Sequence, residues 1–187
     1  EAYIQDEGSL DLADGIVGVV EYCTDSGAFN ATCISAFSKP AEGTADAPRL
    51  LLNIDFLSWS GKLNISATDT DFSIGPTTGV AKVVGTALGV ESVTIDIWSD
   101  STNQEFGEGE LIYRHTDSGG NMIREEAVES GPAGSVTIEV QLEDQGAEMN
   151  VGFQTVVTLQ PSTGTVEVPN VVGDEQSAAE DEITSAG

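Results

Sequence analysis

Positive charge is almost absent from this sequence. Lys39, Lys62, Lys82, Arg49, Arg114 and Arg124 are the six basic residues, against 32 acidic ones, for a formal net charge of −26. A surface so acidic repels nucleic acid and anionic lipid, so neither is expected as a partner. It attracts cations, Ca²⁺ above all. It also repels its own copies, so any self-assembly needs salt or divalent ions to screen the charge. Histidine occurs once, as His115. A Ser-His-Asp triad or a conventional zinc site has almost nothing to build on. No run approaches the ~18 apolar residues that read as a membrane-spanning helix. Aromatic residues make up only 6% of the chain, which leaves few platforms for stacking on a sugar ring.

Cysteine is scarce too, and a CxxC pattern is missing. Cys23 and Cys33 flank a Gly- and Asn-containing turn in EYCTDSGAFNATCISAF, between two β-like runs. Strands joined this way bring Cα atoms to bridging distance. A Cys23–Cys33 disulfide is expected, and with it an oxidising compartment outside the cytoplasm. The sequence opens at Glu1 without a signal peptide, as expected of a mature product released to the extracellular space or cell surface.

What is present is β-patterned text. IVGVVEYC, RLLLNIDFLSW, KLNISAT, VAKVV, ESVTIDIW, ELIYRH, SVTIEVQLE and MNVGFQTVVTL read as strands between Gly, Pro, Asp and Ser punctuation. SVTIEVQLE places Val136, Ile138, Val140 and Leu142 on one face and Thr137, Glu139, Gln141 and Glu143 on the other. VTIDIW turns Val93, Ile95 and Ile97 inward. Period-two alternation means one face wet and one buried. The expected class is all-β: an antiparallel β-sandwich of about 8–10 strands, with a closed barrel as the alternative. Residues 1–14 read as a polar arm or edge strand, 15–160 as the sandwich, and 161–167 as a linker. In 168–187 a Val-Pro strand precedes a short helix capped by Asp174.

The last twenty residues, VPNVVGDEQSAAEDEITSAG, resemble the opening of a PASTA domain. Its pattern, V-P-[ND]-V-x-G, a spacer, A-x-x-x-[IL] and A-G, is matched by Val168, Pro169, Asn170, Val171, Gly173, Ala179, Ile183, Ala186 and Gly187. The remaining strands of that family are missing. The resemblance implies a cell-envelope or extracellular context, not a ligand site. A second resemblance covers about residues 14–106. Ser38, Lys39, Pro40, Gly43, Thr44, Ala45, Pro48, Leu50, Leu52, Asn53, Leu63, Ile65, Asp69, Thr70 and Phe72 are similar to a pattern in uncharacterised secreted bacterial proteins, many with a C-terminal sorting signal. It implies a secreted β domain and no particular activity.

Several residue groups are candidates for chemistry. Asp69, Asp71 and Asp100 sit where strands end, in loops whose oxygens suit Ca²⁺; no other cofactor is implied. Asp side chains in such turns also bond their own backbone. Glu105, Glu108 and Glu110 offer paired carboxylates, but a glycosidase pair also needs a cleft and a raised pKa. The expectation is therefore no enzyme. Trp59, Trp98 and Tyr113 are the aromatics available for glycan contact, and alternation after Ile97 turns Trp98 outward. Asn30 and Asn64 head glycosylation sequons. An arm with Leu10 and Leu12, or Gly164–Val168, could add a strand to a neighbouring copy. Two functions follow. The first is a non-enzymatic, self-assembling subunit of an extracellular fibre, sheath or layer. The alternative is a cell-surface carbohydrate-binding or calcium-dependent adhesion module, with cell-wall or other glycans as partners.

Overall fold

The computed structural model describes residues 18–24, 32–57, 61–144 and 150–162. They form eleven strands and no helix: β1 (Val19–Thr24), β2 (Thr32–Phe37), β3 (Gly43–Thr44), β4 (Ala47–Leu57), β5 (Lys62–Asp69), β6 (Thr77–Leu88), β7 (Val90–Asp100), β8 (Glu110–Asp117), β9 (Gly120–Ser130), β10 (Ser135–Asp144) and β11 (Asn150–Pro161). Two antiparallel sheets result. One is ordered β1-β2-β4-β11-β6-β9, with β3 on β4, and the other β5-β10-β7-β8. The pairings β4–β11, β5–β10, β6–β9 and β7–β8 are nested around the innermost hairpin. That nesting is a jelly roll, the sandwich reached when one long antiparallel ribbon folds over. Among the described residues no helix is long and apolar enough to cross a membrane.

Alternation builds the core as expected. Val93, Ile95 and Ile97 of β7 and Val136, Ile138, Val140 and Leu142 of β10 are at most 1% exposed. They face Leu50, Leu52 and Ile54 of β4 and Val151, Phe153, Val157 and Leu159 of β11. Burying each such side chain contributes about 1.5–3 kcal/mol. Two close approaches let β6 lie flat against β11. A Cβ on Gly79 would collide with the Thr158 carbonyl, and one on Gly85 with Phe153 and the Gly152 carbonyl.

Three features depart from the sequence reading. First, β9 is a full 11-residue strand, although GNMIREEAVES carries no clean apolar alternation. Its inward series runs Met122, Arg124, Glu126, Val128, and the two charges face the open seam between β8 and β9. There Arg124 Nη2 donates to Asp117 Oδ2 at 3.1 Å, and His115 Nε2 stands 3.5 Å from the same oxygen. A charged residue tolerated at a seam hides the strand from a period-two reading. Second, β11 continues through Pro161, and Ser162 N donates to Pro76 O, so the sandwich takes in the first residues read as linker. Third, Tyr113 does not face solvent: it pairs with Ile97 and is 4% exposed. Burial, then the nearby Glu126 charge, raises its hydroxyl pKa, while Arg124 opposes the shift. The arm at 1–14, Asn30, Trp59 and the PASTA-like tail lie outside the described residues.

Candidate functional site

The Cys23–Cys33 pair is joined. The two residues are direct cross-strand partners of β1 and β2, with Cα atoms 4.1 Å apart. The bridge closes the hairpin that forms one edge of the larger sheet.

One end of the sandwich collects the connections 70–76, 101–109 and 131–134, together with the residues after β2. Here the two halves of the S-K-P and D-T-x-F pattern meet. Lys39 Nζ lies 2.8 Å from Asp69 Oδ1, also donates to the Thr70 carbonyl, and stands 4.3 Å from the centre of the Phe72 ring. Ser38 Oγ donates to the other Asp69 oxygen. Asp71 and Asn103 exchange two hydrogen bonds, Asp71 N to Asn103 Oδ1 at 2.6 Å and Asn103 Nδ2 to Asp71 Oδ1 at 2.8 Å. Both hold left-handed backbones, φ 61° and 59°. Asp100 accepts from Thr102 N at 2.9 Å and Thr102 Oγ1 at 2.6 Å. Those bonds lower its carboxyl pKa.

The fold thus brings Asp69, Asp71 and Asp100 to one end, each engaged by protein donors. Among the described residues no three acidic, histidine or cysteine side chains form a group able to hold a metal. The carboxylates at 105–110 follow on the same loop. Glu110 Oε2 accepts from Gly131 N at 2.9 Å.

The outer face of the four-stranded sheet is lined mainly by polar side chains. Register sets its side chains in rows across β5, β10, β7 and β8. The rows are Asn64–Gln141–Thr94–Thr116, Ser66–Glu139–Asp96–Arg114 and Thr68–Thr137–Trp98–Leu111. Arg114 grips Asp96 through two hydrogen bonds of 2.7 and 2.8 Å, and the bonding raises the Arg114 pKa. Thr94 and Thr116 hydroxyls are 3.1 Å apart, as are those of Thr68 and Thr137. Asn64 is exposed on this face, so its sequon is accessible.

Trp98 points outward, as alternation predicts, yet it is half-buried and its Nε1 is enclosed without a hydrogen-bond partner. Phe106 N donates to Thr68 Oγ1 at 3.3 Å, so the β7–β8 loop folds back over the end of the Trp98 row. Thr137 is left 4% exposed on a nominally wet face.

The loop also presents an aromatic that sequence patterning missed. Phe106 holds φ 53°, rare for a bulky residue, and keeps 40% of its surface exposed. Leu111, at the opposite end of the same row, is also exposed. A Phe between Glu and Gly in a loop carries no periodic signal that could have marked it.

No protein-family model matches the chain, and no curated protein matches it. Solved structures resemble it distantly. The enzymatically active domain of tailspike protein 4 from bacteriophage CBA120 is 12% identical, covering 83% of this chain and 21% of its own, at a TM-score of 0.36. This chain therefore spans about a fifth of that protein's length. The K1 cleaved adhesin domain of Lys-gingipain from Porphyromonas gingivalis W83 is 12% identical, covering 78% of this chain and 92% of its own, at 0.32. TmCBM61, solved with β-1,4-galactotriose, is 10% identical, covering 74% and 81%, at 0.25. At such scores the functional reading rests on this chain's own residues.

Proposed function

We propose that the chain is a non-enzymatic binding module that works outside the cell and takes uncharged glycan on the outer face of its four-stranded sheet. The observation that carries this reading is Phe106: a bulky residue in a strained backbone, exposed beside rows of hydroxyl, amide and paired charged groups. Strain of this kind persists where the surroundings impose it, and it clusters at binding sites. A sugar offers apolar C–H faces and a rim of hydroxyls. Phe106 and Leu111 match the first; Asn64, Ser66, Gln141, Thr94 and Thr116 match the second. Polyanionic glycans are disfavoured by the charge of −26. The disulfide and the PASTA-like tail support an extracellular setting.

A glycan array followed by calorimetry on the full chain tests the reading. Phe106→Ala should weaken binding by roughly tenfold, the upper range for loss of an aromatic contact, with the fold unchanged. Trp98→Ala should also weaken it. No binding to any neutral oligosaccharide would end this reading.

A second reading, a self-assembling subunit of a fibre, sheath or layer, draws on the opposite face of the sandwich. There Val80, Val84, Leu88 and Ile123 stay exposed.

A further inference from the structure

We infer that two copies of this chain pack face to face through the outer surface of β6 and β9, about a two-fold axis running parallel to the strands between them. The inference rests on the second reading only in that copies meet; it is independent of glycan binding. Four of the six exposed large apolar side chains in the described residues lie on these two strands, and Ile123 is 72% exposed. Val84 and Ile123 are direct cross-strand neighbours, and Val80 and Leu88 lie on the same face of β6 with Lys82 and Thr86 between; exposed apolar side chains gathered on one face mark contact sites.

Charge selects the occupant. The outward residues of β6, β9 and β11 carry one positive charge, Lys82, and two negative ones, Glu125 and Glu129, a net of −1. The whole chain carries −26. Two copies so strongly charged meet with least repulsion where the local surface is nearly neutral.

Register makes the surface complementary to itself. Across β6 and β9 the outward pairs are Val80–Ala127, Lys82–Glu125 and Val84–Ile123. A two-fold axis along the strands, midway between them, lays β6 of one copy over β9 of the other without shifting the rows. Lys82 then meets Glu125 of the second copy, and Val84 meets Ile123 of the second copy. Each row supplies both halves of its own contact, as an isologous interface requires. The Lys82–Glu125 pair within one copy, 3.2 Å apart and half or more exposed at each side chain, is free to exchange partners.

The test is sedimentation equilibrium of the full chain across salt concentrations, with circular dichroism to confirm the fold. Dimers should strengthen as salt screens the net charge. Ile123→Glu should weaken association by tenfold or more, the scale of an interface hot spot. Lys82→Glu should do the same, and the double exchange Lys82→Glu with Glu125→Lys should restore the dimer. A monomer at every salt and concentration overturns the inference and leaves the face to a different protein or to residues 163–187. Failure of the double exchange to recover the dimer overturns it as well. A closed dimer without filaments supports the contact while ending the fibre reading. Filaments that persist in Ile123→Glu overturn the contact while keeping the fibre.

Discussion

Lys39 and Asp69, thirty residues apart, join the two sheets at one end of the sandwich. Lys39 follows β2 of the larger sheet and Asp69 closes β5 of the smaller one, and their side chains meet at 2.8 Å with about a fifth of each exposed. The Phe72 ring covers the ammonium. Ser38, Lys39, Asp69, Thr70 and Phe72 therefore act as one structural clasp.

Removing the cation should loosen that clasp. Lys39→Ala leaves a part-buried carboxylate with fewer donors, a loss on the order of 2 kcal/mol. Urea unfolding of the variant should show the drop in midpoint with an unchanged slope. Stability equal to the parent's would show that the clasp contributes nothing.

The contact of β6 with β11 leaves no space at Gly85. Gly85→Ala should cost about 1–3 kcal/mol through forced displacement of Phe153. Gly75→Ala, whose Cβ would meet nothing within 4 Å, should stay within about 0.5 kcal/mol. Thermal melts of the two variants side by side measure the contrast.

Reduction of Cys23–Cys33 should destabilise the chain by about 2–3 kcal/mol, because the bridge closes a loop with a sequence separation of 10. The loss should fall first on β1, which among the described strands is an edge strand paired with β2. Hydrogen exchange of β1 amides with and without reductant would reveal it; equal loss of protection across the whole sandwich would contradict the local effect.

Acid should weaken the fold through two carboxylates held below their ordinary range. Asp100 is held down by the Thr102 hydroxyl and amide, and Glu143 by its hydrogen bond and charge contact with Lys62. The unfolded chain binds protons on these groups more readily than the folded chain does. Their stabilisation is therefore complete above the ordinary carboxylate range, near pH 4, and is lost as pH falls through the lower folded values. Unfolding midpoints between neutral pH and pH 2 should fall on the acid side. Asp100→Asn, which keeps an acceptor for Thr102, should make that fall shallower.

Local pattern alone settled the class of this protein. Val93–Ile97, Val136–Leu142 and Val151–Leu159 alternate so regularly that only half-buried strands satisfy them, and the cysteine spacing singled out a bridged hairpin. The single histidine and the imbalance of charge restricted the chemistry before any fold was known. Folding decided what no local window contains. Strand β9 escaped the pattern because Arg124 and Glu126 face a seam that exists only once β8 and β9 stand on opposite sheets. The exposure of Phe106, the burial of Thr137 and the meeting of Lys39 with Asp69 each depend on a loop or strand end distant in the chain. Alternation records which face a side chain takes, and tertiary packing determines what then covers that face.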